Sequence, residues 1–178
     1  MQNATELART GQPRAALQRT REALEADPRH APARQLAAIL HFETGDTAAA
    51  VALLREGVEL VGAPPALPLL LARLLAHQNQ GREALAVLER HGLNSGEAEG
   101  LRASLLSQLG LYGRALVAFE SALRQQPGNA NWWAGMAVAL ESEGQGTAAR
   151  QAYAQAQRLG LTQVDLATYV DQRLRALD

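Results

Sequence analysis

The chain has 178 residues, seventeen basic and eighteen acidic side chains, a formal net charge of −1, no cysteine and a 4% aromatic share. Charges mixed along the whole length leave no electrostatic footprint for nucleic acid or an anionic membrane surface, and the missing cysteines exclude disulfides and thiolate metal sites. Alanine supplies 36 residues, β-branched residues are sparse and every basic residue is arginine, a composition that suits closely packed helices better than strands.

Two sets of alanines organise the predicted elements. The first helical hairpin, residues 1–30, carries Ala4 on its leading helix and Ala16 on its second, with Leu7, Gly11, Ala23 and Pro28 around them. Ala38 and Ala50 repeat the pair in residues 31–64, Ala72 and Ala84 in 65–95, Ala103 and Ala115 in 96–129, and Ala137 and Ala149 in 130–160. Within each set the steps are 34, 34, 31 and 34 residues. A small residue at that period marks stacked helical hairpins, because crossing helices approach closely only where side chains are small. The 31-residue step removes three residues around 89–96, which predicts a shortened second helix in the third hairpin. Gly45, the pair Asn79 and Gly81, Gly110 and Gly144 mark the turns inside hairpins, where positive φ is needed. Beyond the fifth hairpin, Thr162 is placed to N-cap a last helix over 162–177, with Leu166, Val170, Leu174 and Leu177 on its inner face. The apolar stretch over 60–76 is broken by Pro64, Pro65, Pro68 and Arg73, which rules it out as a bilayer-spanning helix.

Aligned on their second alanine, the units resemble the tetratricopeptide (TPR) repeat, with its Trp, Leu, Gly, Tyr, then Ala, Phe and Pro positions. The fifth unit matches best, through Trp133, Met136, Ala137, Leu140, Ala149, Tyr153 and Ala156. The expected fold is therefore all-α, a TPR-like α-solenoid of about five hairpins plus a C-terminal capping helix, treated as a single domain over residues 1–178.

Such an arrangement presents the first helices as a concave face. The register places Gln35, Ile39, Phe42, Leu69, Arg73 and His77 there from the earlier hairpins. Ser104, Gln108, Asn131, Val138 and Glu141 follow from the later ones. Ile39, Phe42, Leu69 and Val138 are the expected apolar anchors for a peptide or helix in the groove. Trp133 falls on the repeat's tryptophan position and is expected in the core. Its neighbour Trp132 has two readings: it packs on the preceding hairpin, or it offers an indole to a ligand. His30, His41, His77 and His91 lack a second ligand at metal-binding spacing, and no phosphate loop, nucleophile elbow or paired carboxylate appears. No catalytic residue, cofactor or metal is expected, and the function class is a non-catalytic protein–protein scaffold. Self-association through the apolar residues 67–75 is a further possibility.

The stretch over 131–141, followed by Ala149, Arg150, Gln151, Ala152 and Tyr153 and then Leu161, Tyr169, Val170, Gln172, Arg173 and Leu174, resembles the C-terminal end of the MSHA pilus biogenesis proteins, the MshN family. That resemblance implies a role in type IV pilus assembly, with pilus-assembly components as partners. It also implies a periplasm-facing location, anchored in the inner membrane by a segment absent from this chain. The first hairpin opens without the leading residues of its first helix, so Met1 is expected to lie within a longer protein. A general adaptor or secretion chaperone in the cytoplasm is the alternative, and a regulatory repeat domain of an enzyme a remoter one.

Overall fold

A computed structural model describes residues 2–60 and 62–177. Among the described residues the secondary structure is entirely helical, in eleven helices. The chain divides into two compact units, Met1–His91 and Gly92–Asp178. The first holds α1 (Gln2–Arg9), α2 (Pro13–Ala26), α3 (Ala31–Glu43), α4 (Thr47–Val58), α5 (Ala66–His77) and α6 (Gly81–Arg90). The second holds α7 (Gly96–Gln108), α8 (Tyr112–Gln125), α9 (Ala130–Ser142), α10 (Gly146–Leu159) and α11 (Val164–Ala176). Within each unit every helix packs on the next in sequence, and α3 also meets α5, as α7 meets α9. No helix among the described residues is long and apolar enough to cross a membrane.

The ten alanines that recur two to a hairpin, here the lattice alanines, are all buried, none more than 1% exposed. Their methyl groups lie inside the hairpins, and larger side chains such as Leu54, Leu88, Phe119 and Tyr153 complete the core beside them. The three-residue deletion has its expected effect: α6 has 10 residues, against 14 in α2, α8 and α10.

Each hairpin turns by the same device. Gly11, Gly45, Asn79, Gly110 and Gly144 stand seven residues after the first lattice alanine of their hairpin, and all have positive φ. The following residue then donates its N–H to a carbonyl five residues back, as Asp46 does to His41 at 2.8 Å and Gln145 to Leu140 at 2.9 Å. This pattern is a Schellman closure, which satisfies carbonyls that a helix end leaves open. N-terminal ends are capped more variously. Asp46, Ser95 and Asn129 accept from backbone N–H groups of α4, α7 and α9, and the His30 ring nitrogen does so for α3. The last helix departs from expectation. It begins at Val164 with no side-chain cap, and Thr162 is exposed ahead of it.

Three of the four connections between hairpins use a carbonyl ten residues before the first lattice alanine as a side-chain acceptor. Arg34 donates to the Pro28 carbonyl at 2.8 Å, Arg102 to Leu93 at 2.8 Å, and the Trp133 indole to Pro127 at 2.9 Å. Arg34 occupies the register position of Trp133, is 2% exposed, and also donates to Leu53 O at 2.9 Å. Gly57 leaves the space for its side chain, since a Cβ there would lie 2.1 Å from Arg34 Cδ. Glu99 fills the same register position in the fourth hairpin, buried and paired with Arg102.

Candidate interaction faces

In the first unit, the predicted face residues lie on α3 and α5. Gln35, Ile39 and Phe42 are half-buried along α3 and Leu69 along α5, while Arg73 and His77 are exposed. Phe42 and His77 meet edge to face, with ring centroids 5.0 Å apart and planes at 90°. A perpendicular contact of this kind sets the electropositive edge of one ring against the electron-rich face of the other. It fixes two of the predicted residues across adjacent first helices and leaves an apolar surface bordered by polar groups. Leu67, Leu71, Leu74 and Leu75 are buried within this unit, so only Leu69 and Leu70 of the 67–75 leucines are half-buried.

In the second unit, Ser104 and Gln108 lie on α7, and Asn131, Trp132, Val138 and Glu141 on α9. The Ser104 hydroxyl donates to Gly100 O at 3.0 Å, while Gln108 and Asn131 are exposed. Trp132 packs on the preceding hairpin. Its indole lies over Gly100 so closely that a Cβ there would come within 2.3 Å of the ring. Trp133 and Val138 pack at the edge of the unit's core, which is built around Ala137, Ala149 and Tyr153.

Glu141 joins three helices. Its carboxylate accepts the Tyr153 hydroxyl at 3.0 Å and Arg173 Nε at 3.1 Å, with a second charge-assisted bond from Arg173 Nη2. Burial pushes the Tyr153 phenol well above its ordinary pKa, and Tyr169 and the Glu141 carboxylate push the same way. The hydrogen bonds to Glu141 raise the Arg173 pKa as well. Tyr169 stands edge-on to Tyr153, with centroids 6.3 Å apart. Arg173 and Glu141 lie too far apart in sequence for spacing to pair them, so the bridge from α11 to α9 was not legible from the chain alone.

Three of the four histidines make local contacts. His30 caps α3, His77 meets Phe42, and His41 lies 3.7 Å from the Asp46 carboxylate. Among the described residues, no cluster of three or more His, Asp or Glu side chains is arranged to hold a metal ion.

Repeated helical hairpins with first-helix faces carrying apolar and polar side chains define the architecture of a protein-interaction scaffold. A tetratricopeptide-repeat family model matches residues 7–62 and 106–160, more than half of the chain, and the chain belongs to that family. A search of curated proteins returns no significant match. Among solved structures, the chain is similar to YrrB, described as a TPR protein with an unusual peptide-binding site, at 22% identity and a TM-score of 0.78, over 95% of this chain and 88% of that one. MamA is similar at 18% identity and a TM-score of 0.79, over 88% and 93% respectively. A thermophilic TPR protein of Thermus thermophilus aligns at 20% identity and a TM-score of 0.67, over 98% and 96%. These likenesses establish the all-α TPR-like fold, and proteins of the tetratricopeptide-repeat family are generally interaction modules.

Proposed function

We propose that this chain is an adaptor whose first-helix faces hold peptide or helical segments of partner proteins, and that it serves as the TPR part of an MSHA-like type IV pilus biogenesis protein. The observation that carries the reading is the face of α3 and α5. Ile39, Phe42 and Leu69 are half-buried there, bordered by Gln35, Arg73 and His77, and Phe42 is held in place by His77. Such a preformed surface lowers the ordering cost of binding on the adaptor side. In the second unit, Asn131 and Gln108 are exposed beside half-buried Ser104, Trp132, Val138 and Glu141, a more polar surface for the same kind of segment. The pilus assignment rests on the resemblance over 131–141 and the residues that follow it. Periplasmic placement, with an inner-membrane anchor outside this chain and pilus-assembly components as partners, goes with that assignment.

The test is a pull-down from a lysate of piliated cells, comparing the native chain with Phe42→Glu and Leu69→Glu, each checked for native helicity. Recovery of pilus-assembly components by the native chain, and their loss from both variants, supports the proposal. Equal recovery by all three overturns the role of the face, and recovery of unrelated cytoplasmic proteins overturns the pilus assignment.

A further inference from the structure

The second helices of the first unit border two grooves of the same register, and the two differ in a way that points to a ligand. The groove between α4 and α6 has a cavity of about 290 Å³ over Leu71 of α5. Two ion pairs link the helices beside it: Arg55 to Glu83 at 2.6 Å and Arg90 to Glu59 at 3.0 Å. Shifting back by one repeat gives the groove between α2 and α4, a cavity of about 260 Å³. Arg21 and Glu25 stand in the places of Arg55 and Glu59, but Ala49 and Glu56 replace Glu83 and Arg90 on the opposite helix. Glu56 is turned instead toward Arg34, at 3.4 Å. Ala37 replaces Leu71 at the floor, which is completed by Leu17, Leu24 and Leu53. The first groove therefore has a smaller residue at its base and no ion pair linking α2 to α4 among the described residues. Arg21 and Glu25 have no partner among the described residues.

We infer that the α2–α4 groove is a second docking surface, on the opposite helix set from the α3–α5 face, for an amphipathic helix of a partner protein. The charges define its chemistry. Arg21 and Glu25 are one helical turn apart, so they match an acidic and a basic residue spaced one turn apart on the partner. Between those two, an apolar stripe on the partner meets Leu17, Leu24, Ala37 and Leu53. The occupant supplies the counter-charges that Glu83 and Arg90 supply in the neighbouring groove. Electrostatic complementarity of this kind selects among partners that are equally apolar.

The experiment uses a fluorescein-labelled, alanine-based helical peptide with a leucine stripe, flanked by Glu and Arg four residues apart, and a second peptide with Gln at both flanking positions. Anisotropy titration of the whole chain is expected to show saturable binding of the charged peptide, with the Gln peptide weaker by about three- to tenfold. Ala37→Leu installs the side chain that the neighbouring groove already holds. It is expected to weaken both peptides by about tenfold or more while helicity is retained. Ala49→Glu gives Arg21 an internal partner, as Glu83 does for Arg55, and is expected to weaken the charged peptide while leaving the Gln peptide unchanged. Equal binding of the two peptides, absence of saturable binding, or affinity indifferent to Ala37→Leu overturns the proposal. Concentration-dependent self-association that Ala37→Leu abolishes also overturns it, because a second copy of the chain is then the occupant.

Discussion

Tyr153 is fully buried, and its hydroxyl is committed to the Glu141 carboxylate, so the folded chain keeps this phenol protonated. The consequence for stability has a definite sign. Folding raises the Tyr153 pKa above its ordinary value of 10.0. The contribution is therefore complete below pH 10 and is lost as pH rises beyond it, where the unfolded chain ionises first. The chain has no lysine or cysteine, side chains whose ordinary titration would overlap that of the Tyr153 phenol in the unfolded chain. Thermal midpoints measured across about pH 9 to 11 are expected to fall above pH 10, and Tyr153→Phe is expected to flatten the fall. The lattice alanines set a different demand, one of size. Ala149 is completely buried, so Ala149→Leu overpacks the crossing of α9 and α10 and is expected to cost about 1–3 kcal/mol in urea denaturation. An unchanged midpoint would show that the crossing has room to spare.

Hairpin turns are uniform enough that their one exception makes a prediction. Four of the five carry glycine at the left-handed position, and Asn79, with φ of 60°, fills the third. Asparagine tolerates that conformation better than most residues but not as freely as glycine. Asn79→Gly is therefore expected to stabilise the α5–α6 hairpin by about 0.5–1 kcal/mol, read as a higher denaturation midpoint. The turns were legible in the sequence because conformation restricts their residue types to a few letters at a fixed spacing. Packing that depends on distant neighbours was not. Trp132 had two readings because its indole is seated by Gly100, 32 residues earlier and on another helix. Arg34 reads as a solvated charge in any helical pattern. Its burial follows from three acceptors that converge from α4 and from the connection ahead of α3, and from the missing side chain at Gly57. Thr162 misled because its hydroxyl and spacing suit a cap, whereas the chain becomes helical only at Val164.

Across the chain, the three-residue deletion coincides with the boundary between the two compact units, at His91 and Gly92. Residues 92, 94 and 95 of the connection are exposed between α6 and α7. Loops of this kind are the preferred sites of proteolytic nicking. Brief digestion with a protease of broad specificity is expected to give two fragments of about half the chain, cut within 91–95, before the hairpin turns are attacked. Cleavage at the turns first would contradict this. The repeat and its irregular step were visible from spacing alone. The division into units was not, because spacing records how many residues separate two alanines and says nothing of which helices then touch.

In three of the four connections between hairpins a carbonyl accepts a side-chain N–H, from two guanidinium groups and from one indole, at nearly equal distances. A joint that asks only for a proton within reach places no premium on aromatic character, so arginine at position 34 takes the part of the tryptophan that gives the repeat its most recognisable letter. A hairpin can therefore depart from the consensus at this position and still keep the bond that closes its joint.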